Sequence, residues 1–301
     1  MLNDDQIRED PKGGGTSVGV QGTDNSFIEV DGLSYWYRDS DNKAVETPAI
    51  QDATLNIGKG EFACVLGPSG CGKSTLLTVL SGLSSPQEGS VSVDGQLLYK
   101  DGKRVAQEMP RCGYVFQDAR LLPWRTVRQN ITLALKPTDI PESEWGGIVE
   151  SHLKMLRLED YADAWPLKLS GGQRQRVAIA RALAVQPQFV LMDEPFSTLD
   201  EVTARFLRKE LLGVWERTGQ TIVFVTHSIR EAVFLADDIF LMTKGPGRVF
   251  DKLHIDIERP RLYEDPRLTR IEGGLVETVL NQWGYFDPDE EGSSSPADPG
   301  N

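Results

Sequence analysis

Residues 67–75 read Gly-Pro-Ser-Gly-Cys-Gly-Lys-Ser-Thr, and this glycine-rich segment lies between two apolar runs. The run at 62–66 predicts a strand, and the periodic run at 76–80 predicts a helix. A loop in this position directs backbone N–H groups and a helix N-terminus at one anion. Lys73 adds a charge for the outer phosphates, and the Ser74 hydroxyl suits Mg²⁺. Because a chance glycine-rich turn would lack the flanking strand and helix, we predict a phosphate-binding loop, made of Gly67, Pro68, Ser69, Gly70, Cys71, Gly72, Lys73, Ser74 and Thr75.

The length and composition are those of a globular chain with a sizeable core. Of its 301 residues, 39% are hydrophobic and 26% are charged. No apolar run approaches the roughly 18 residues that a membrane helix needs. The N-terminus lacks the basic and apolar regions of a secretory signal, so we expect a cytoplasmic protein. The three cysteines show no metal-ligand spacing; for Cys71, a redox-sensitive thiol is the alternative to a small residue that fills the loop.

Negative charge is concentrated at the two ends of the chain. Of the formal net charge of −13, residues 1–26 contribute five acids against two bases, and residues 284–301 contribute five acids against none. These ends are poor in bulky apolar residues, so we expect disordered tails at 1–26 and 287–301. Between them we expect one main domain at 27–257, with two lobes, and a C-terminal extension at 258–286. The sequence shows no basic clustering of the kind that binds nucleic acid.

Alternating residues predict one strand at 27–37 and another at 53–57. Tyr37, at the end of the first, is a candidate for stacking on a flat base, with ordinary strand packing as the alternative. Helical spacing at 126–135 and 148–158 predicts a helical insertion over about 118–169. It interrupts an otherwise alternating order of strands and helices. A last helix is predicted over 266–283.

A second helix start has features of an anion site. Ser170, Gly171, Gly172 and Gln173 stand directly before a helix-forming run at 174–184. The free N–H groups and the dipole of a helix N-terminus favour an anion there. Taken alone, however, a Ser-Gly-Gly sequence is more often a simple helix cap, and spacing alone favours the cap.

Two further apolar runs end in polar residues. The run at 189–192 is typical of a strand buried in a parallel sheet, and Asp193 and Glu194 follow it. Open α/β sheets bind ligands at this end, where one carboxylate can hold Mg²⁺ while its neighbour acts as base toward water. The run at 221–226 ends in His227, which we assign to phosphate contact, although a lone histidine is more often structural. Asp200 closes a turn and caps the next predicted helix.

With these residues in this order, the chain resembles the nucleotide-binding subunits of ATP-binding-cassette (ABC) transporters over about 27–257. The resemblance implies an α/β fold of the P-loop NTPase type. It has a RecA-like mixed sheet core, an antiparallel β-subdomain and an α-helical subdomain, which corresponds to the insertion at 118–169. The cofactors it implies are ATP and Mg²⁺.

The resemblance also assigns roles to the residues of the site. It implies Tyr37 as the aromatic that stacks on adenine, Glu194 as the general base and His227 as the switch histidine. Gln117 would sense Mg²⁺ and the membrane subunit, and Thr198 stands where the family usually has alanine, which bears on contacts across subunits. Metal contacts are implied for Ser74, Gln117 and Asp193, contacts with ATP across the dimer for Ser170, Gly171, Gly172 and Gln173, and an inter-subunit loop for Asp200.

Within the superfamily, the run at 116–124 is similar to importers of nitrate, sulfonates and taurine, as are the shorter motifs at 193–196, 226–232 and 245–248. Importers of bicarbonate, cyanate and thiamine precursors share these motifs. Trp124, beside Gln117, is expected to face the membrane partner, with packing inside the helical lobe as the alternative.

The sequence thus predicts an ATPase that couples ATP hydrolysis to import of a small oxyanion-type solute. The resemblance implies a head-to-tail homodimer with ATP at the interface, transmembrane permease subunits, an external solute-binding protein and a peripheral place at the cytoplasmic face of the cell membrane. One alternative is an importer of another small solute. Another is a soluble ABC ATPase that clamps a macromolecule, which usually has two cassettes or a coiled-coil insertion that this chain lacks. A third alternative is a nucleotide-binding scaffold that does not hydrolyse ATP, and such a protein would not need Glu194 and His227.

Overall fold

The computed structural model describes residues 26–38 and 46–284. Of the predicted N-terminal tail only Ser26 is described, as the first residue of a strand, and the predicted tail at 287–301 lies outside the described residues. In chain order the strands are β1 (Ser26–Arg38), β2 (Glu46–Gly58), β3 (Phe62–Leu66), β4 (Glu88–Val93), β5 (Gln96–Lys100), β6 (Lys103–Arg104), β7 (Cys112–Val115), β8 (Phe189–Asp193), β9 (Thr221–Thr226), β10 (Asp238–Met242) and β11 (Val249–His254). The helices are α1 (Lys73–Leu80), α2 (Val127–Leu135), α3 (Glu142–Met155), α4 (Gly171–Ala184), α5 (Glu201–Thr218), α6 (Ile229–Leu235) and α7 (Pro266–Trp283).

One sheet is antiparallel, in the order β2-β1-β4-β5-β6. Ile28 lies opposite Ile57, and Val30 opposite Leu55, so the apolar residues of both strands share one face. That face packs on β3 and α1 in a common core. The second strand is longer than predicted, since it begins at Glu46 rather than at residue 53. Its first part is not alternating in sequence but pairs with the end of β1, where Tyr37 lies opposite Thr47.

The other sheet is mixed, in the order β11-β10-β3-β9-β8-β7. Strands β10, β3, β9, β8 and β7 run parallel, and β11 is antiparallel to β10. The antiparallel sheet and α1 cover one face, and α4, α5 and α6 lie on the other. Strands β3, β9 and β10 are therefore buried along their whole length, which explains their continuous apolar runs. Because β9 pairs with β3 on one side and β8 on the other, the loops that follow these three strands meet at one edge.

Helices α2 and α3, which follow β7, pack on α4. Helices α2 and α3 bury Val127, Ile131, Val149 and Leu153 in the core that also holds the apolar face of α4. Thr126 begins α2 with a capping box, in which its hydroxyl accepts the Gln129 N–H. Both helices fall within the range predicted for the insertion.

The C-terminal helix has the predicted bounds, 266–283, and it is tied to the mixed sheet. Leu268, Leu275 and Val279 are its buried residues, and the indole Nε1 of Trp283 donates to the Met242 carbonyl at 3.0 Å. Among the described residues, no helix combines the length and the apolarity needed to cross a bilayer. The two sheets and the helices that cover them agree with the predicted α/β architecture.

Candidate functional site

The loop between β3 and α1 needs glycine at its last position. Gly72 has φ of +100°, and a Cβ there would lie 2.5 Å from the Ala49 carbonyl oxygen and 2.8 Å from Cγ1 of Ile50. Gly70 also has a positive φ, +79°, but a Cβ there would meet no atom within 4 Å. The backbone of β2 therefore lies in close contact with the end of the loop, and only a residue without a side chain fits at position 72.

Lys73, the first residue of α1, lies beneath this loop. Its side chain is only 4% exposed, and its ammonium donates to the carbonyl oxygens of Gly67 at 2.8 Å and Pro68 at 3.0 Å. The same nitrogen lies 3.2 Å from Oε1 of Glu194. These contacts fix a positive charge at the base of the loop, where the N-terminus of α1 also points.

A cavity of about 410 Å³ opens above the loop and brings together most of the predicted site. Tyr37 forms one wall; this residue is 54% exposed, and its hydroxyl lies 2.8 Å from Oγ1 of Thr75. The aromatic side chain is thus held beside α1 with one part of its surface open to a ligand. The residues that line the cavity are Tyr37, Ala49, Ser69, Gly70, Gly72, Lys73, Ser74, Thr75, Gln117, Asp193 and Glu194.

Oxygen ligands suited to a hard cation are grouped at the end of β8. The Ser74 hydroxyl donates to Oδ1 of Asp193 at 3.0 Å, and the Tyr114 hydroxyl donates to Oδ2 at 3.4 Å. Burial and the nearby charge of Glu194 raise the pKa of Asp193, although these hydrogen bonds oppose the change. The Gln117 amide lies in the same cavity. A hydroxyl, a carboxylate and an amide oxygen are the donors that Mg²⁺ prefers, so these residues fit that ion.

Glu194 is held on both oxygens of its carboxylate. Oε1 faces the Lys73 ammonium, and Oε2 lies 2.9 Å from Nδ1 of His227, at the end of β9. The backbone of Glu194 has φ of +42°, a left-handed conformation that is uncommon for residues other than glycine. Its N–H donates to the Val225 carbonyl at 3.0 Å. The end of β8 is therefore turned so that the carboxylate points into the cavity.

Gln117 is linked to the turn at Glu194 through the side chain of Ser197. Its amide Nε2 donates to the Ser197 hydroxyl at 3.1 Å, which in turn donates to the Glu194 carbonyl oxygen at 2.9 Å. Ser197, Tyr114 and Ala49 were not among the predicted site residues. Their contacts join segments that are distant in the sequence; Tyr114 and Asp193, for example, are 79 positions apart. No local sequence pattern therefore identifies these residues as part of the site.

The remaining predicted residues lie outside this cavity. Gly67 and Pro68 contribute their carbonyl oxygens to Lys73. The Cys71 thiol is buried and packed so tightly that a Cβ at Gly67 would lie 2.6 Å from its sulfur. Burial raises the pKa of this thiol, which disfavours the reactive thiolate and supports the packing alternative.

The start of α4 is a capped helix end close to α5. Ser170 accepts the Gln173 N–H at 3.2 Å, and the Gln173 side chain accepts the Ser170 N–H at 2.8 Å. A Cβ at Gly172 would lie 2.9 Å from the Thr203 methyl carbon, and one at Gly171 would lie 2.9 Å from a Leu199 methyl carbon. Both glycines therefore allow the two helices to approach. The cap that spacing alone favoured is present, and it leaves the Ser170 side chain exposed.

Asp200 caps α5, as predicted. Its Oδ1 accepts the Thr203 N–H at 3.0 Å, and this hydrogen bond lowers the pKa of Asp200. Thr198, in the preceding turn, is exposed. These residues and the Ser170–Gln173 helix start form a second polar surface, separate from the cavity above the phosphate loop.

The chain is similar to one protein family and to named members of it. The family model described as "ABC transporter" matches residues 50–197. A nitrate import ATP-binding protein of Synechococcus elongatus is 41% identical over 79% of this chain and 87% of its own length. A bicarbonate transport ATP-binding protein of Synechocystis is 39% identical over 79% of this chain and 84% of its own length. A taurine import ATP-binding protein of Pseudomonas aeruginosa is 38% identical over 77% of this chain and 89% of its own length.

A solved structure has a similar fold. It is the dimeric, post-hydrolysis state of an ATP-binding cassette bound to ADP and phosphate, 32% identical to this chain with a TM-score of 0.64. The match covers 77% of this chain and 100% of that one.

Proposed function

The chain belongs to the ABC transporter family as the ATP-hydrolysing subunit of an importer, and on this premise we propose that the imported solute is a small oxyanion. Nitrate, an alkanesulfonate or taurine is the solute class that we favour. The observation that carries this proposal is the similarity to nitrate and taurine import subunits over most of their length. The bicarbonate transport relative supports bicarbonate as the second candidate.

We assign the residues of the cavity to nucleotide binding and hydrolysis. Tyr37 stacks on the base, and the backbone of 67–75 with Lys73 holds the phosphates. Ser74, Gln117 and Asp193 hold Mg²⁺, which neutralises phosphate charge when it is bound. Glu194 accepts the proton of the attacking water, and His227 contacts the outer phosphate from the neighbouring strand. Support comes from the convergence of most of these residues on one cavity and from the contact between His227 and Glu194, which lines that cavity.

Lys73 uses its donors on two carbonyl oxygens and on Glu194. A phosphate oxygen bound by Lys73 would therefore compete with one of these partners. If it displaces Glu194, the carboxylate becomes available to the attacking water, so binding of the outer phosphate and activation of the base are coupled through one ion pair.

We propose that two copies assemble head to tail. Ser170, Gly171, Gly172, Gln173 and Asp200 do not line the cavity of their own chain. The exposed Ser170 hydroxyl and the N-terminus of α4 can serve a nucleotide only if it is held by another subunit. The dimeric state of the similar ATP-binding cassette supports this arrangement.

The proposed contact with the permease lies around Trp124. This side chain is 66% exposed, which supports docking and disfavours the alternative of packing inside the helical lobe. Trp165 and Leu167 are also exposed, and their segment is joined to the start of α2, where the Val127 N–H donates to the Ala164 carbonyl at 3.0 Å. Exposed aromatic and aliphatic groups of this kind are typical of interfaces. The permease would place this subunit at the cytoplasmic face of the cell membrane, with a solute-binding protein on the other side.

Two experiments test this proposal. Co-purification with detergent-solubilised permease subunits encoded beside this gene tests the importer assembly, and recovery of a macromolecular target without them would favour the soluble ABC ATPase. Growth of a deletion strain with nitrate, taurine or an alkanesulfonate as sole nitrogen or sulfur source tests the solute. Loss of growth on one of these supports the oxyanion proposal. Normal growth on all three, with slowed growth at low inorganic carbon, would support bicarbonate instead.

A further inference from the structure

A cavity of about 690 Å³ lies between the C-terminal end of α3 and the second half of α5. It is larger than the cavity above the phosphate loop and shares no lining residue with it. Its walls carry Lys154 and Arg157 on one side and Lys209 and Arg217 on the other, and Glu210 is the one acidic residue among its lining residues. The cavity therefore has a positive charge of three within a protein whose net charge is −13.

Glu210 is already paired. Its Oε2 lies 2.9 Å from Nε of Arg176, a largely buried residue that does not line the cavity, and its Oε1 lies 3.8 Å from Nε of Arg157. The Arg176 guanidinium also lies over the ring of Phe206, 5.3 Å from its centroid. The charge of Glu210 is thus taken up by Arg176, and it offsets little of the charge on the cations that line the cavity.

The other three cations form no ion pair in the described part of the chain, and Glu264, whose pKa the hydrogen bond from Arg205 and the charge of Lys209 lower, is itself paired with Arg205. Within 26–38 and 46–284, Lys154, Lys209 and Arg217 have no carboxylate within ion-pair distance. Glu216, which follows on α5, lines a different cavity beside Trp215. Positive side chains gathered in one concave site raise the local concentration of anions, and their mutual repulsion is relieved when an anion binds.

The cavity also has the size and the mixed walls of a small-molecule site. Its volume falls within the range of about 300–1,000 Å³ that is usual for ligand pockets. Met155 and Phe206 supply apolar surface, and Ser151 supplies a hydroxyl beside the cations. A ligand with charged groups at one end and an apolar or flat part at the other would match both kinds of wall.

We propose that this cavity binds a phosphorylated small molecule that carries at least two phosphate groups. Each such group brings about −1.5 to −2 charges at neutral pH, and its oxygens accept hydrogen bonds from both arginine and lysine. Two groups would match the charges of Lys154, Arg157, Lys209 and Arg217, which no single carboxylate could. The ligand would contact α3 and α5 together, and it would be distinct from the nucleotide held by the phosphate loop.

The test uses inorganic pyrophosphate and reads the site residue by residue, because pyrophosphate would also bind the phosphate loop. Lysine acetylation rates are measured by mass spectrometry on the full chain, with and without pyrophosphate, at constant ionic strength set with sodium chloride. We expect Lys154 and Lys209 to react at least about threefold more slowly with pyrophosphate, while Lys103 on β6 reacts at an unchanged rate. Equal rates at Lys154 and Lys209 with millimolar pyrophosphate would overturn the proposal.

Variants of the two arginines show whether the protection belongs to this cavity. In Arg217→Gln, the pyrophosphate concentration that gives half-maximal protection should rise about tenfold, because one charge-assisted hydrogen bond is lost. Arg157→Gln should also raise this concentration, and it replaces Arg217→Gln as the test variant if Arg217→Gln folds poorly. Lys103→Gln is the charge-matched control and should leave the concentration unchanged. A control that shifts as much as Arg217→Gln would show nonspecific charge attraction and would contradict the proposal.

The acidic C-terminal segment is the competing occupant. The full chain with Asp287→Asn, Asp289→Asn, Glu290→Gln, Glu291→Gln and Asp298→Asn tests it without shortening the protein. We expect this variant to acetylate at Lys154 and Lys209 like the wild type in the absence of pyrophosphate. If both lysines instead become faster when the segment is neutralised, the segment fills the cavity and the small-molecule proposal is wrong.

Discussion

Glu194 Oε1 lies 3.2 Å from the Lys73 ammonium, so the residue that we assign as base and the residue that we assign to phosphate form one ion pair. Lys73 is almost fully buried there, and it has two carbonyl oxygens as its other partners. A buried pair of this kind responds strongly to the removal of one member, because the remaining charge loses its partner. Replacing Glu194 should therefore affect the hydrolytic step and also leave the Lys73 ammonium without its carboxylate partner.

Glu194→Gln should keep ATP binding and lose most turnover. The amide cannot accept the proton of water, so the hydrolysis rate should fall about 10²-fold or more, whereas every residue of the phosphate loop is retained and Lys73 keeps its two carbonyl partners. Steady-state phosphate release and equilibrium ATP binding measure the two effects, and the exposed Glu216→Gln is the control. Hydrolysis near the wild-type rate would remove Glu194 from the role of base. ATP trapped in the variant should also favour a stable dimer in gel filtration.

Two inactive variants should restore activity when they are mixed. Lys73→Ala disables the phosphate loop of its own chain, and Ser170→Arg disables the surface offered to the partner. A heterodimer contains one site in which both parts are intact, so mixing should return part of the hydrolysis. The heterodimer is verified by differently tagged chains. Demonstrated heterodimers that remain as inactive as either variant alone would exclude the head-to-tail arrangement.

Two glycines of the phosphate loop form a matched pair for stability. Gly72→Ala would place a Cβ 2.5 Å from the Ala49 carbonyl oxygen, whereas at Gly70 a Cβ meets no atom within 4 Å. Because both have a positive φ, Gly70→Ala should cost about 1 kcal/mol of unfolding free energy. Gly72→Ala adds the clash and should cost about 3 kcal/mol or more. Denaturant unfolding of both variants measures the difference, and equal losses would contradict the assigned packing.

Trp124→Ala should uncouple transport from hydrolysis without weakening the fold. The indole is largely exposed and lies outside the phosphate cavity, so basal hydrolysis and thermal stability should stay close to the wild type. Solute uptake in reconstituted vesicles should fall, because apolar contact with the permease is lost. Trp145→Ala is the contrasting variant: its ring packs on the core and its Nε1 donates to the Ile140 carbonyl at 3.0 Å, so it should lower stability. A destabilised Trp124→Ala protein would instead indicate core packing.

Glu61 should make folding less favourable as the pH rises. Burial raises its pKa from 4.5 to about 7, with a smaller effect from the charge of Asp238, although the Gly58 N–H opposes the change. The folded state therefore keeps the proton to a higher pH than the unfolded state, and this contribution to stability is lost between about 4.5 and 7. Glu61→Gln should remove this pH-dependent loss, so near pH 8 its free energy of unfolding should exceed that of the wild type by about 2 kcal/mol. Unfolding at pH 5 and 8 tests this, with the exposed Glu277→Gln as control; a gain that is equal at both pH values would contradict it.

The sequence was informative where a residue's role depends on its near neighbours. Continuous apolar runs identified the buried strands that end at Leu66, Asp193 and Thr226, because a strand covered on both faces is apolar throughout. It was not informative about contacts between distant segments. The hydroxyl of Tyr114 and the Ser197 bridge to Gln117 join positions 79 and 80 apart. The four cations of the second cavity come from α5, from the end of α3 and from Arg157 just beyond it, and these segments share no motif.

The left-handed backbone of Glu194 places activity and stability in opposition at one residue. A non-glycine residue in this conformation costs roughly 1–3 kcal/mol, and glycine or asparagine would adopt it more readily. Neither of those residues can act as a base toward water. With Glu194 in its proposed role as base, glutamate at φ of +42° therefore favours turnover at the expense of thermostability. A screen for heat-resistant variants of this protein should therefore recover glycine or asparagine at position 194, and by the proposed role of Glu194 these variants would not hydrolyse ATP.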